Sequence, residues 1–112
     1  MNLQDRIQDM VNEIQNELGY GHTKDVYKTA LKVALQDGNL IHETDKVIPI
    51  AFRNRFVGSL IADIVVDQRL VLMMCGDRNE LINQCTMYKS ISQLPHGLVI
   101  LFTPHGPILE LC

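Results

Sequence analysis

The sequence predicts an α+β fold in which helices are layered on a sheet. Two segments with helical periodicity come first, and three short apolar runs with brief links follow them. A third helical segment then separates these runs from two more apolar runs at the end of the chain. The predicted order is therefore α-α-β-β-β-α-β-β. At 112 residues the chain suits one domain that covers residues 1–112.

The first two elements are predicted to be amphipathic helices. Residues 2–18 form the first helix, which ends at Gly19, and residues 24–37 form the second, with Thr23 as its N-cap. Apolar residues recur in both at steps of three and four, which places them on one face. Those residues are Leu3, Ile7, Met10, Val11, Ile14 and Leu18 in the first helix and Val26, Tyr27, Ala30, Leu31, Ala34 and Leu35 in the second.

The next three elements are predicted to be strands of an antiparallel meander. Residues 47–52 form the first strand, and Pro49 indicates an edge position because proline cannot donate a ladder hydrogen bond. Residues 53–55 make the turn, residues 56–66 form the second strand and residues 69–75 the third. The short links favour antiparallel pairing between consecutive strands.

The last part of the chain is predicted to contain one helix and two strands. Residues 78–92 form the helix, and residues 97–102 are a continuous apolar run that indicates a fully buried strand. Residues 107–111 form the final strand. The apolar face of the helix consists of Leu81, Ile82, Cys85, Tyr88 and Ile91.

Composition limits the function classes. The formal charge is −3, so a nucleic-acid contact would require a local basic patch. No apolar run is long enough to span a bilayer and no signal peptide is visible, so we expect an intracellular protein, cytoplasmic or nuclear, with no membrane partner. The three cysteines are odd in number and form no CxxC pair, which predicts reduced thiols. The four histidines lack the spacing of zinc ligands.

Several short motifs carry a resemblance to a known family. They are Leu18-Gly19-Tyr20-Gly21, Val26-Tyr27, Ala30-Leu31, Val57-Gly58, Ala62-Asp63, the helical pair Gln84 and Tyr88, and the run 97–102. In this order, from about residue 2 to residue 110, the chain resembles the small GxxExxY/GxxExxR-type proteins of the PD-(D/E)XK nuclease superfamily, known from prokaryotes and some large DNA viruses. The resemblance implies one PD-(D/E)XK nuclease-like domain with a mixed sheet flanked by helices.

The resemblance also assigns positions to the nuclease site, where relatives hold a metal on the carboxylates of a strand pair. It maps the first acid onto Asp63, and the E-x-K acid and lysine of the next strand onto Met73 and Cys75. A further glutamate of relatives falls on Lys24. Gln84 and Tyr88 retain two helix positions that line the site in relatives. The site positions implied are Lys24, Asp63, Met73, Cys75, Gln84 and Tyr88.

These replacements predict that the metal site is lost. Mg²⁺ prefers hard oxygen ligands, whereas Met73 offers a soft thioether, and the neutral thiol of Cys75 cannot replace an ammonium. Lys24 places a cation where relatives keep an anion. We therefore expect no Mg²⁺, no other cofactor, no catalytic residue and no enzyme activity. The alternative is a residual metal-dependent nuclease with a rearranged site. The migrated acids to consider are Glu80, one turn before Gln84, and Asp67 and Asp77 near strand ends.

Asp63 and the basic residues each have two interpretations. Asp63 is either a leftover ligand or, as we favour, an acid that pairs with Lys24 or accepts backbone hydrogen bonds. Basic residues recur every four positions on the second helix, and two more occupy the predicted turn at residues 53–55. These basic residues either contact phosphates or form a solvated face, and the net negative charge of the chain favours the solvated face. No aromatic platform for bases is apparent beside the turn. These residues are Lys24, Lys28, Lys32, Arg53 and Arg55.

The predicted function is that of a catalytically inactive nuclease-fold protein that acts as a binding or scaffold module. Nucleic acid and an unidentified protein are the partners considered, and a viral or mobile-element origin would fit the degenerate site. A homodimer is expected, because strand edges and the first helix offer self-complementary surfaces. The second alternative to this function is a homodimeric structural or protein-interaction module with no nucleic-acid role.

Overall fold

The computed structural model describes residues 2–112, and it confirms the predicted fold class and element order. The five strands form one mixed sheet in the order β1-β2-β3-β4-β5, in which β3 and β4 are parallel and the other neighbours antiparallel. The helices are α1 (Leu3–Leu18), α2 (Lys24–Asp37) and α3 (Arg78–Ser92), and the strands are β1 (His42–Phe52), β2 (Arg55–Val66), β3 (Leu70–Met74), β4 (His96–Thr103) and β5 (Gly106–Leu111).

Local signals set the ends of the helices. The side chain of Asn2 accepts a hydrogen bond from the backbone N–H of Asp5, 2.8 Å away, and caps α1. Gly19 ends α1 with a φ of +81°, a conformation that glycine adopts without a steric penalty. Thr23 is the N-cap residue of α2, as predicted, but its side chain makes no capping hydrogen bond. Across residues 2–112, no helix is both long and apolar enough to cross a membrane.

The first strand is longer than predicted. β1 begins at His42, five residues before the predicted start at residue 47. The early residues are polar, but they pair with the buried end of β2, where His42 lies opposite Val66 and Glu43 opposite Val65. Pairing with β2 therefore determines where β1 begins. The polar residues 42–46 give no strand pattern that would predict this start from the sequence. The edge position that Pro49 predicts is confirmed, because β1 is the first strand of the sheet.

The core consists of one layer on each face of the sheet. The helices α1 and α2 cover one face and α3 covers the other. β3 is buried on both faces, and so is β4 at residues 97–100, as the apolar run predicts. Leu101 and Phe102, at the end of that run, are only partly buried. Alternate residues of these strands therefore point into different layers. The main members are Ile7, Val11, Leu31, Leu35, Leu72, Met74 and Ile100 in the α1–α2 layer and Val71, Met73, Leu81, Cys85, Tyr88 and Val99 in the α3 layer.

Two of the three cysteines are bonded to each other. Cys85 on α3 forms a disulfide with Cys112, across a Cα–Cα distance of 6.2 Å, which lies in the normal range. A Cβ atom at Gly97 would collide with both sulfur atoms, so only glycine leaves space for the bridge. Cys75 is the free cysteine of the described residues. The prediction of three reduced thiols is therefore wrong for this pair, because sequence spacing does not reveal which distant cysteines meet.

We expect Cys112→Ser to lower the free energy of unfolding by about 3 kcal/mol, the usual value for a bridge that closes a loop of this order. The two cysteines are 27 residues apart. The measurement is urea unfolding without reductant. Cys75→Ser is the control, because it keeps the bridge. A second test is alkylation of the protein without substitutions, in denaturant and without reductant. Mass spectrometry should then find one alkylated cysteine, and three alkylated cysteines would contradict the disulfide.

Candidate functional site

The first part of the candidate site is the buried carboxylate of Asp63. β2 pairs with β3 from Ile64 to Val66, so Asp63 lies where the two strands begin to part. Its Oδ2 accepts a hydrogen bond from the backbone N–H of Met74 at 2.9 Å. The Asp63 side chain is only 7 % exposed, and a buried carboxylate requires such partners. The carboxylate of Asp63 thus accepts the N–H of Met74 at the place where the backbone ladder between β2 and β3 has ended.

The second part is the ammonium of Lys24. Its Nζ lies 2.6 Å from Oδ1 of Asp63, so both carboxylate oxygens have a partner and the ion pair favoured by the sequence analysis is present. Lys24 is the first residue of α2, and its side chain remains 42 % exposed. The turn before α2 is held by Tyr27, whose hydroxyl donates to the carbonyl of Gly19 at 2.7 Å. That contact fixes where α2 begins and therefore where Lys24 lies.

A second lysine–aspartate pair lies one helical turn further along α2. Lys28 bonds the carboxylate of Asp45 on β1. Asp45 lies between Thr44 and Lys46, which pair with the two neighbours of Asp63 on β2. Hydrogen bonding from Lys28 is the main reason why the pKa of Asp45 is lowered. The sequence analysis missed Asp45 because residues 42–46 do not show a strand pattern. The four-residue spacing of the lysines was the signal that could have prompted a search for a second acid.

Cys75 lies beside the Lys24–Asp63 pair. It follows the last residue of β3 and has a φ of +59°. Burial and the nearby negative charge of Asp63 raise the pKa of the thiol to about 11, although Lys24 opposes this. The thiol is therefore protonated at neutral pH and is a poor nucleophile and a poor metal ligand.

A cavity of about 280 Å³ adjoins Cys75. Tyr27 and Phe102 line it and stack on each other, with ring centroids 3.8 Å apart and planes 6° from parallel. The turn that precedes α2 forms another wall through Tyr20 and His22. The site thus has open, largely aromatic space next to its ion pair.

The remaining mapped positions do not join this group. Met73 is buried in the α3 layer, and Tyr88 lies in the same layer, where its hydroxyl donates to the carbonyl of Lys46 at 3.1 Å. Burial is the main cause of the raised pKa of Tyr88. Gln84 is exposed on α3. The structure therefore brings Lys24, Asp63 and Cys75 together and places the other three elsewhere, because the two faces of the sheet are covered by different helices.

The other predicted residues lie away from the ion pair. Lys32 is partly exposed on α2, one turn beyond Lys28. Arg53 and Arg55 are exposed at the end of the β1–β2 hairpin. Glu80 is exposed at the start of α3, where its backbone N–H is capped by Asp77 at 3.1 Å.

Comparison with known proteins identifies the family. The family model described as "PD-(D/E)XK nuclease superfamily" matches residues 1–107. The chain belongs to the PD-(D/E)XK nuclease superfamily. No curated protein and no solved structure gives a significant match. The prediction that the protein is not an enzyme is wrong, because the superfamily to which the chain belongs is one of nucleases.

The donor set around Asp63 does not fit the Mg²⁺ ion that nucleases of this superfamily use. Both oxygens of Asp63 are engaged, one by an ammonium and one by a backbone N–H. The nearby Cys75 offers a protonated sulfur, whereas Mg²⁺ requires oxygen ligands in near-octahedral geometry. Within residues 2–112, no three His, Cys, Asp or Glu side chains lie together as metal ligands would.

We expect Asp63→Ala to destabilise the fold by about 2–3 kcal/mol, because it leaves the N–H of Met74 without an acceptor in a buried place. Asp63→Asn is the matched control. Its amide oxygen still accepts that hydrogen bond, so a loss of about 1 kcal/mol is expected from the ion pair alone, which is partly exposed at Lys24. Urea unfolding measures both. Equal losses for the two variants would show that the backbone contact contributes nothing.

We expect Cys75 to react slowly with iodoacetamide in the folded protein. A pKa of about 11 in place of 9.0 lowers the thiolate fraction at pH 8 by about 100-fold. The rate should rise with pH until the pH approaches 11. Alkylation in urea is the control, since unfolding restores the ordinary pKa. A folded-state rate equal to that in urea would contradict the burial of this thiol.

Proposed function

We propose that the protein binds nucleic acid through its phosphate backbone, at a site where Lys24 takes the position that a metal ion has in relatives. The observation that carries this proposal is the ammonium of Lys24, which is held 2.6 Å from Asp63 and yet remains 42 % exposed on the side chain. Membership of a nuclease superfamily supports nucleic acid as the ligand. The motifs at residues 18–21, 26–27 and 62–63 support assignment to the GxxExxY type within that superfamily.

The ammonium has donors left for a ligand. A lysine ammonium carries three N–H donors, and the contact with Asp63 uses one of them. The remaining donors can bind phosphate oxygens. The pair as a whole is neutral, however, so its attraction for a polyanion is weak and further cations are needed for affinity.

Three other cations support such binding and one does not. Lys28 is only 14 % exposed on its side chain and is neutralised by Asp45, so it contributes little. Lys32 is partly exposed on the same helix. Arg53 and Arg55 are exposed and have no carboxylate within salt-bridge distance among the described residues. We therefore propose Lys24, Lys32, Arg53 and Arg55 as the phosphate contacts.

The proposal predicts salt-dependent binding of nucleic acid. We expect the affinity for a labelled duplex, measured by fluorescence anisotropy, to fall linearly with salt on logarithmic axes. Lys32→Gln should weaken binding and reduce that slope by about 0.9, the value for one phosphate contact on duplex DNA. Arg69→Gln is the control, because Arg69 is also exposed but is paired with Asp67 at 2.7 Å.

Two results would contradict this proposal. One is the absence of binding to duplex and single-stranded probes at low salt. The other is an equal change of slope in Lys32→Gln and Arg69→Gln, which would show that binding follows the total charge instead of the proposed contacts.

The proposal also states that no divalent ion is held at Asp63. Isothermal titration with Mn²⁺ is expected to show no binding to the unmodified protein. Lys24→Ala, which frees Oδ1 of Asp63, tests whether the ammonium is what excludes the ion. If the unmodified protein binds Mn²⁺ and Asp63→Asn does not, the claim that no divalent ion is held at Asp63 is contradicted. A cleavage assay with Mg²⁺ or Mn²⁺ on the same variants would then measure whether the bound ion supports nuclease activity.

A second candidate is self-association through the β1–β2 hairpin. Val47 and Ile61 lie directly opposite each other on the two strands, and both are more than half exposed. β1 is also an edge strand with unpaired backbone groups. Light scattering of the unmodified protein and of Ile61→Lys tests this candidate. A dimer that becomes a monomer in the variant would support it, and a monomer in both would exclude it.

A further inference from the structure

The β1–β2 hairpin extends beyond the rest of the sheet as a two-stranded arm. β2 has its β3 partner only from Ile64 to Val66, so the part of the hairpin at residues 46–62 has no third strand. The α3 layer supports the base of this arm through the partly buried Ile48 and Leu60. Residues 51–57 at the tip are exposed throughout. We call residues 51–57 the arm tip.

The arm tip exposes two large aromatic rings. Phe52 is 60 % exposed and Phe56 is 72 % exposed. The guanidinium carbon of Arg53 lies 5.0 Å from the centroid of the Phe52 ring, whereas the Phe56 ring has no such cover among the described aromatic and cation–π contacts. The ladder pairs Phe52 with Arg55 and Ala51 with Phe56, so the two rings lie on opposite faces of the hairpin. The uncovered ring of Phe56 is therefore the surface suited to a planar partner. The sequence analysis noted no aromatic platform beside the arginines, whereas the structure shows that the phenylalanines next to them are exposed.

The charge of the arm favours an anionic partner. Residues 46–62 contain three basic residues and no acidic residue, although the whole chain has a formal charge of −3. Lys46 is paired with Glu43, which leaves the two arginines of the tip as the cations available to a partner. A second copy of the chain does not fit at the arm tip itself, because contact between two tips would bring Arg53 and Arg55 of both chains together. Like charges in contact destabilise such an interface.

A nucleotide has both of the features that the arm tip would recognise. Its phosphate is an anion for Arg53 and Arg55, and its base has a planar face that stacks on an aromatic ring. Stacking requires an accessible base face, which a single strand offers and an intact duplex hides. We propose that the arm tip binds unpaired bases of a single-stranded nucleic acid, with Phe56 as the stacking residue and the two arginines as phosphate contacts.

This inference rests on the proposed function in so far as both require nucleic acid, and it adds a preference for unpaired strands. The arm tip and the ion pair lie at separate places along the hairpin. Phe52 is seven residues along β1 from Asp45, which corresponds to roughly 23 Å at about 3.3 Å per residue. A single strand of several nucleotides can therefore contact both the arm tip and Lys24.

The experiment compares two labelled probes, a thymidine oligonucleotide and a duplex of equal length, by fluorescence anisotropy. We expect Phe56→Ala to weaken binding of the single strand by about tenfold, the loss of one base–aromatic stack, and to leave duplex binding within about twofold. Phe56→Tyr should retain the single-strand affinity, because it keeps an aromatic face. Arg53→Gln combined with Arg55→Gln should lower the salt slope on the single strand by about 1.4.

Ile108→Ala is the matched control, since Ile108 is an exposed apolar residue on β5 at the opposite edge of the sheet. It should change neither affinity. Thermal melting should be unchanged in Phe56→Ala, because the ring packs against little in the folded protein.

The outcomes separate the two proposals. Binding of the duplex with no loss of single-strand affinity in Phe56→Ala overturns the arm-tip inference and leaves the proposed function standing. Equal losses on both probes also overturn it, because stacking on an unpaired base would not affect a duplex. A dimer by light scattering that Phe56→Ala converts to a monomer overturns it in favour of self-association. Failure to bind either probe overturns both proposals.

Discussion

The carboxylate of Asp63 joins three elements at the point where β2 and β3 part. One of its oxygens accepts the backbone N–H of Met74, and the other bonds the ammonium of Lys24 at the start of α2. A carboxylate buried to this degree is stable only when its oxygens have partners. The end of β3, the side chain of Lys24 and the charge at the centre of the site therefore meet at one carboxylate. A divalent ion would have to displace a partner that the fold already supplies.

The family and the donor set lead to different expectations about this centre. Residues 1–107 match the PD-(D/E)XK nuclease superfamily, and a nuclease hydrolyses phosphodiester bonds. In this chain an ammonium lies against Asp63, and a second ammonium lies against Asp45 one turn away. Each lysine neutralises an acid that could otherwise bind a cation. Lys24 adds a positive charge beside Asp63, and its side chain remains in contact with solvent.

The positions of the basic residues say more about where an anionic ligand could bind than the net charge of the chain does. The chain is acidic overall, and this composition alone favours a solvated face for its lysines. The structure divides the basic residues into two groups. Lys24 and Lys28 are tied to carboxylates of the sheet, whereas Arg53 and Arg55 extend on the arm tip beside exposed aromatic rings. A ligand that is both anionic and planar would meet arginines that no carboxylate of the described residues neutralises.

The sequence by itself determined the helices, their order and the strand at residues 97–102, because periodicity and apolar runs are local signals. It also indicated the pairing of Lys24 with Asp63, since burial of an acid demands a partner. Only the tertiary structure decided the start of β1, the lysine partner of Asp45 and the bond between Cys85 and Cys112. It also separated Met73 and Tyr88 from the ion pair by the sheet itself. These features depend on contacts between distant segments, and no local pattern records which segments will meet.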